Sequence, residues 1–118
     1  MHELSIALDI IDFVRSEVVK RQLHNLSAVG VRIGALSAVD PESLRFGFTA
    51  ACRGTELETV QLNIEWVPAR IKCRSCGREN TTDQPEFVCT VCKSGTIEIA
   101  HGYELEVAYL ETDDGPPS

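Results

Sequence analysis

Long apolar runs, aromatic residues and positive net charge are what this 118-residue sequence lacks. No stretch approaches the ~18 consecutive apolar residues of a membrane-spanning helix, which excludes a span of that kind. The opening Met1-His2-Glu3-Leu4-Ser5 has neither the basic region nor the apolar block of a secretory signal. A cytoplasmic, reducing location is therefore expected. The net charge of −7 argues against binding to nucleic acid or anionic membrane by electrostatic attraction. Aromatic side chains amount to 6% of the chain, and within residues 70–93 only Phe87 is aromatic, too few for a stacking platform there. A chain of this length forms one domain, or two very small ones, with a modest core. A binding or carrier module fits that size better than an enzyme with its own deep cleft.

Cysteine, by contrast, is plentiful. Four of the five cysteines crowd between Cys73 and Cys92. Charge breaks at the same place. Residues 70–93 hold five basic groups (Arg70, Lys72, Arg74, Arg78, Lys93) against three acidic ones (Glu79, Asp83, Glu86), a balance of +2. The other residues hold six basic and fifteen acidic groups, a balance of −9, so the composition suggests two units in one chain.

Leu4, Ala7, Leu8, Ile11, Val14 and Val18 recur at helical spacing and predict an amphipathic helix from Leu4 to about Leu23. Val29, Val31 and Ile33 alternate with smaller or polar residues, predicting a strand from Ser27 to Leu36. Asp40-Pro41-Glu42 is a helix start, with an N-cap acid and proline at the first helical position. Leu44, Phe48 and Ala51 give that second helix an apolar stripe, and Gly54 ends it. Leu62, Ile64 and Trp66 predict a second strand ending at Pro68. Tyr103, Leu105, Val107 and Tyr109 predict a third. Phe46, Phe48 and Trp66 are expected in the core, Glu104 and Glu106 on a solvated strand face, and Cys52 as a packed thiol. His24 and His101 read as surface or hinge positions.

The expected fold is α+β: two helices packed on a three-stranded sheet, with a small four-cysteine zinc ribbon inserted before the last strand. The sheet domain would comprise residues 1–68 plus 101–112 and the insert residues 69–100. Residues 113–118 would form a flexible acidic tail.

Within the insert, Cys73-Arg74-Ser75-Cys76 and Cys89-Thr90-Val91-Cys92 form two knuckles that together offer four thiolates in a tetrahedron. Zinc accepts that set, whereas disulfides fit the reducing location poorly. An iron–sulfur or rubredoxin-type centre uses the same ligands and stays an alternative. A four-thiolate zinc site has no open position, so its role would be structural. The thiolates and zinc carry −2 together, which the local +2 offsets.

A second metal site lies at the chain start. With Met1 retained, its amine, the His2 amide nitrogen and the imidazole close two fused chelate rings. The Glu3 amide or carboxylate would complete a square-planar set suited to Ni(II) or Cu(II). A histidine at position two also suits a frayed terminus, but the predicted helix start at Leu4 ties it to the folded domain.

These motifs together resemble a known family. Met1-His2-Glu3-Leu4-Ser5, Ile33-Gly34-Ala35-Leu36-Ser37, Asp40-Pro41-Glu42, Leu44-Arg45-Phe46, Gly54-Thr55 and Val67-Pro68-Ala69 are similar to the HypA/HybF-type nickel metallochaperones of hydrogenase maturation. So are both Cys-x-x-Cys pairs and Gly102-Tyr103-Glu104-Leu105, a likeness that runs to about residue 111. Thr90 and Lys93 depart from the family pattern around the second knuckle. The resemblance implies a metal carrier rather than an enzyme, with His2 as the essential nickel ligand. Backbone near Met1 and Glu3 would assist it, with an acidic position at Asp40. It implies structural zinc on Cys73, Cys76, Cys89 and Cys92. Nickel would pass to the [NiFe]-hydrogenase large-subunit precursor with a HypB-type GTPase as partner, and some relatives also serve urease. Two other readings of the residues are a nucleic-acid-binding zinc ribbon and a structural adaptor that binds no second metal. A monomer and a homodimer both remain compatible with the sequence.

Overall fold

Two periodicities, one helical and one of alternation, leave a clear imprint on the chain. The computed structural model describes residues 2–82, 95 and 97–113, with the backbone alone at His2 and Thr82. In chain order the elements are α1 (His2–Arg21), β1 (Leu26–Gly34), α2 (Pro41–Cys52), β2 (Gln61–Val67), β3 (Ala69–Cys73), β4 (Glu79–Thr82), β5 (Ile97–His101) and β6 (Leu105–Thr112). They form an α+β protein with two three-stranded sheets, ordered β2-β1-β6 and β4-β3-β5. The second sheet is inserted in the chain between β2 and β6, where the cysteine insert was expected. By contacts the chain divides into two compact units, one of Met1–Val31, Val39–Glu65 and Val107–Ser118, the other of Arg32–Ala38 and Trp66–Glu106.

In the first unit α1 buries Ala7, Ile10, Ile11 and Val14. Leu4 and Leu8, expected in that stripe, are exposed instead. At about 100° per residue, Leu8 lies a quarter turn from the line through Ala7, Ile11 and Val14, whereas Ile10 lies nearer to it. The helix ends in a Schellman turn: Leu23 N–H donates to Val18 O at 3.0 Å and Gln22 N–H to Val19 O at 3.3 Å. Gln22 takes φ of 53° to close it.

Asp40 caps α2 as its sequence suggests, with Pro41 at the first helical position. The helix buries Leu44, Gly47, Phe48 and Cys52. Phe48 is 1% exposed, but Phe46, two residues earlier, is 75% exposed and belongs to solvent rather than to the expected core. Residues two apart on a helix point about 200° apart, so the pair cannot share one buried face. Gly47 meets α1: a Cβ there would already lie 3.6 Å from Leu4 Cα and 3.7 Å from Ala7 Cβ.

β1 is the central strand of the first sheet, and Ala28, Val29, Gly30 and Val31 are all buried. Gly30 is needed for a steric reason. A side chain there would collide with the Tyr109 ring, which lies against it. The Tyr109 hydroxyl accepts a hydrogen bond from Asn63 Nδ2 at 3.1 Å. β6 lies at a sheet edge and buries none of its side chains fully.

In the second unit β3 is central and pairs antiparallel with β4 (Lys72 opposite Glu79) and with β5 (Cys73 opposite Ile97). Ala69, Ile71 and Cys73 alternate as its buried positions. A close-packed turn completes the unit. Leu36 N–H donates to Gly102 O at 2.7 Å, Gly34 N–H to Glu104 O at 2.7 Å and Ala35 N–H to Val67 O at 2.9 Å. Trp66, expected in the core, is 41% exposed.

Candidate metal centres

The first candidate centre begins at a helix start. α1 opens at His2, and the first amides of a helix have no acceptor within it. The His2 and Glu3 nitrogens thus belong to the part of the helix whose amides the helix itself does not use. Glu3 carries its charge at the positive end of the α1 dipole, where an anion is favoured. The packing of α1 on α2 at Gly47 carries Glu3 to the start of the second helix. There its Oε2 accepts a hydrogen bond from the Asp40 amide at 3.3 Å.

Asp40 itself is occupied by capping. Its Oδ2 accepts from Ser43 N–H at 3.2 Å and from Ser43 Oγ–H at 2.6 Å. The Ser43 hydroxyl is the main reason that the Asp40 carboxyl is held below the usual carboxylate range, aided by the amides of the first turn. Two of the acidic positions expected near nickel, Glu3 and Asp40, are therefore neighbours. Met1 and the His2 imidazole lie outside the described residues.

The second candidate centre is the first cysteine knuckle. Cys73 ends β3 and is buried, while Cys76 is exposed. Between them the chain makes a tight turn: Cys76 N–H points at Cys73 Sγ at 3.4 Å, and Gly77 N–H donates to Cys73 O at 2.9 Å. Gly77 adopts φ of 78°, a conformation that glycine takes without strain. Cys73 N–H returns to Arg78 O at 2.8 Å and completes the hairpin into β4. An amide aimed at sulfur suits a thiolate, the metal-binding form of cysteine, better than a thiol. This half of the site fits a four-thiolate zinc centre. Cys89 and Cys92 lie outside the described residues, as do Thr90 and Lys93. Among the described residues no three His, Cys, Asp or Glu side chains gather as a metal cluster.

One polar pair was not foreseen. Glu104, expected on a strand face, precedes β6 and folds back onto the 101–104 turn. Its Oε2 lies 3.0 Å from His101 Nδ1, and its Oε1 accepts from Gly102 N–H at 2.7 Å. Partial burial raises the Glu104 carboxyl, but the hydrogen bonds from His101 and the backbone outweigh it and leave it lowered. The only sequence signal was a histidine three residues before a glutamate, beside a glycine that takes φ of 133°. Cys52 is buried as expected, and burial pushes its thiol up, away from the reactive thiolate.

Comparison with known proteins identifies relatives in sequence and in fold. Residues 1–112 match the family described as HypA, hydrogenase/urease nickel incorporation, metallochaperone. The hydrogenase maturation factor HypA of Desulfatibacillum aliphaticivorans is 38% identical over 115 residues, covering 97% of this chain and 88% of that protein. Its counterpart in Chloroflexus aggregans is 42% identical over 113 residues, 95% of this chain and 99% of the relative. The solution structure of the Ni metallochaperone HypA from Helicobacter pylori is alike in fold, with a TM-score of 0.64 at 24% identity, over 93% of this chain and 96% of that one. A further solution structure of a HypA protein gives 0.67 at 25% identity, over 95% and 96% of the two chains.

Proposed function

The chain belongs to the HypA family of hydrogenase/urease nickel-incorporation metallochaperones, and from that membership we propose that it takes up Ni(II) at the start of α1 and hands it to an enzyme precursor. The cargo ion binds the His2 imidazole with nitrogen donors from Met1, His2 and Glu3. Asp40 supplies negative charge beside them. The observation that carries this reading is the 3.3 Å hydrogen bond from the Asp40 amide to Glu3 Oε2, which brings Asp40 up to the first turn of the helix that opens at His2.

A nitrogen-rich site suits a carrier. Nickel prefers imidazole and amide nitrogens, and ligands at a chain end can be displaced one at a time by an acceptor protein. Binding weakens in acid, because each nitrogen must lose a proton before it can coordinate.

Zinc is the resident metal in this proposal. Cys73, Cys76, Cys89 and Cys92 hold it, and it supplies folding energy to a sheet whose described residues bury only Ala69, Ile71 and Cys73. Residues 69–100 form the zinc unit, and residues 1–68 with 101–112 form the nickel unit. The protein works in the cytoplasm with a HypB-type GTPase on the [NiFe]-hydrogenase large-subunit precursor, without nucleic acid or membrane. No described helix is long and apolar enough to cross a membrane.

Equilibrium dialysis with Ni(II) on zinc-loaded, untagged protein tests the reading. One nickel per chain is expected for the native sequence and none for His2→Ala at the same concentrations. Equal affinity in the two would overturn it.

A further inference from the structure

One face of the second sheet is built from hydrocarbon, with two departures. β3 buries Ala69, Ile71 and Cys73 on that face. β5 sets Ile97 opposite Cys73 and Ile99 opposite Ile71, and β4 sets Asn80 opposite Ile71. Residues opposite one another in an antiparallel pair share a face, so the Asn80 carboxamide stands in this apolar row. Its Nδ2 is buried and has no hydrogen-bond partner. A buried amide in that state is costly, and folded proteins seldom keep one without a use for it.

We propose that the Asn80 side-chain amide donates a hydrogen bond to the Cys73 thiolate of the zinc centre and is a positioning residue for that ligand. That role rests on the zinc reading above and deepens it.

Three observations converge on Cys73. Of the side chains that β3 and β5 align with Asn80 on this face, those of Ala69, Ile71, Ile97 and Ile99 hold no acceptor, whereas Cys73 offers sulfur. The register makes the two residues diagonal neighbours. Cys73 N–H bonds Arg78 O at 2.8 Å, and Asn80 lies two residues further along β4, a spacing that a carboxamide and a sulfur can span between them. Cys73 Sγ already faces one donor, the Cys76 N–H at 3.4 Å, and a metal-bound thiolate has lone pairs for a second. A thiol sulfur is a weak acceptor and a zinc-bound thiolate a strong one, so the bond belongs to the loaded site. Two N–H groups on one sulfur offset part of the negative charge of the four thiolates and fix the direction from which that sulfur meets the metal.

The full-length chain loaded with a spin-half cadmium isotope in place of zinc tests the assignment. A proton hydrogen-bonded to a cadmium-bound sulfur couples to the metal through that bond. One Asn80 side-chain proton should show the coupling, and the Cys76 amide proton should show it as an internal reference. Asn80→Leu, which suits the apolar face, should weaken zinc binding about tenfold in competition with a chromophoric chelator. Asn80→Gln, which keeps the carboxamide, should recover part of that loss. An amide that serves no acceptor predicts the opposite sign, because a leucine of similar size would then stabilise the sheet and tighten zinc. Coupling at Cys76 without coupling at Asn80 would overturn this inference alone, as would an Asn80→Leu chain that holds zinc as tightly as the native one. A cadmium resonance outside the four-sulfur range would overturn the zinc reading and this inference with it.

Discussion

Gly30→Ala is the sharpest probe of the first sheet. A methyl group on Gly30 would fall within the Tyr109 ring, so the ring must leave its place over β1. Tyr109 is 46% exposed, hence about half of its side chain is covered now. For an aromatic side chain that is roughly 100 Å² of apolar area, or about 2.5 kcal/mol at ~25 cal/mol/Å² if all of it is lost. Displacement also breaks the Asn63–Tyr109 hydrogen bond of 3.1 Å, whose exposed position makes it worth about 0.5 kcal/mol. A swung-out ring keeps part of its contacts, so the net cost should be about 2 kcal/mol, within the usual range for overpacking. That corresponds to a fall in Tm of about 8 °C for a chain of this size.

The decisive assay is a double-mutant cycle by urea denaturation. In a Tyr109→Ala background the obstruction is gone, and Gly30→Ala should then change stability by less than about 0.5 kcal/mol. A coupling near 2 kcal/mol is the expected result. Additive effects would show that the ring does not occupy the space above Gly30, and the packing argument for this glycine would fall.

Other expectations follow from single positions. Phe48→Ala should cost about 3–5 kcal/mol, whereas Phe46→Ala should stay within about 0.5 kcal/mol, measured by the same denaturation. Ala38 holds φ of 63° on an exposed turn, so Ala38→Gly should stabilise by roughly 0.5–1 kcal/mol, seen as a higher urea midpoint with unchanged slope. The Asp40 carboxyl is lowered in the folded state, so its contribution is present at neutral pH and is lost as pH falls through that depressed value. Asp40→Asn should therefore be less stable than the native protein at pH 7 and lose less on acidification below about pH 4, a comparison of urea midpoints at the two pH values.

Much of the first unit was legible because its signals are local. The i, i+3, i+4, i+7 spacing located α1, and the Asp-Pro-Glu start located the first turn of α2 to the residue. Alternation located β1, β2 and β6 within a few residues. It did not reveal that the odd-numbered apolar residues of β6 are only partly covered, because an edge strand and a central strand carry the same alternation. Phe46 and Trp66 failed for the same reason: apolar character was visible, but the element that would cover it was not. The first cysteine knuckle was legible from spacing, since two cysteines three apart around a tight turn are confined to one neighbourhood by chain geometry.

What the sequence determined alone is thus the order of α1, β1, α2, β2 and β6 around the cysteine insert, the α2 cap, the knuckle turn and the histidine at position two. Each follows from interactions within a few residues of the chain. Tertiary structure alone decided that Glu3 meets Asp40, that Tyr109 lies on Gly30 and that Glu104 folds onto His101. The first contact needs α1 to approach α2 at a glycine, the second needs β1 and β6 to be neighbours, and the third needs the 101–104 turn to pack against Leu36 and Ala69. No local pattern encodes such approaches, because they are set by which surfaces bury one another.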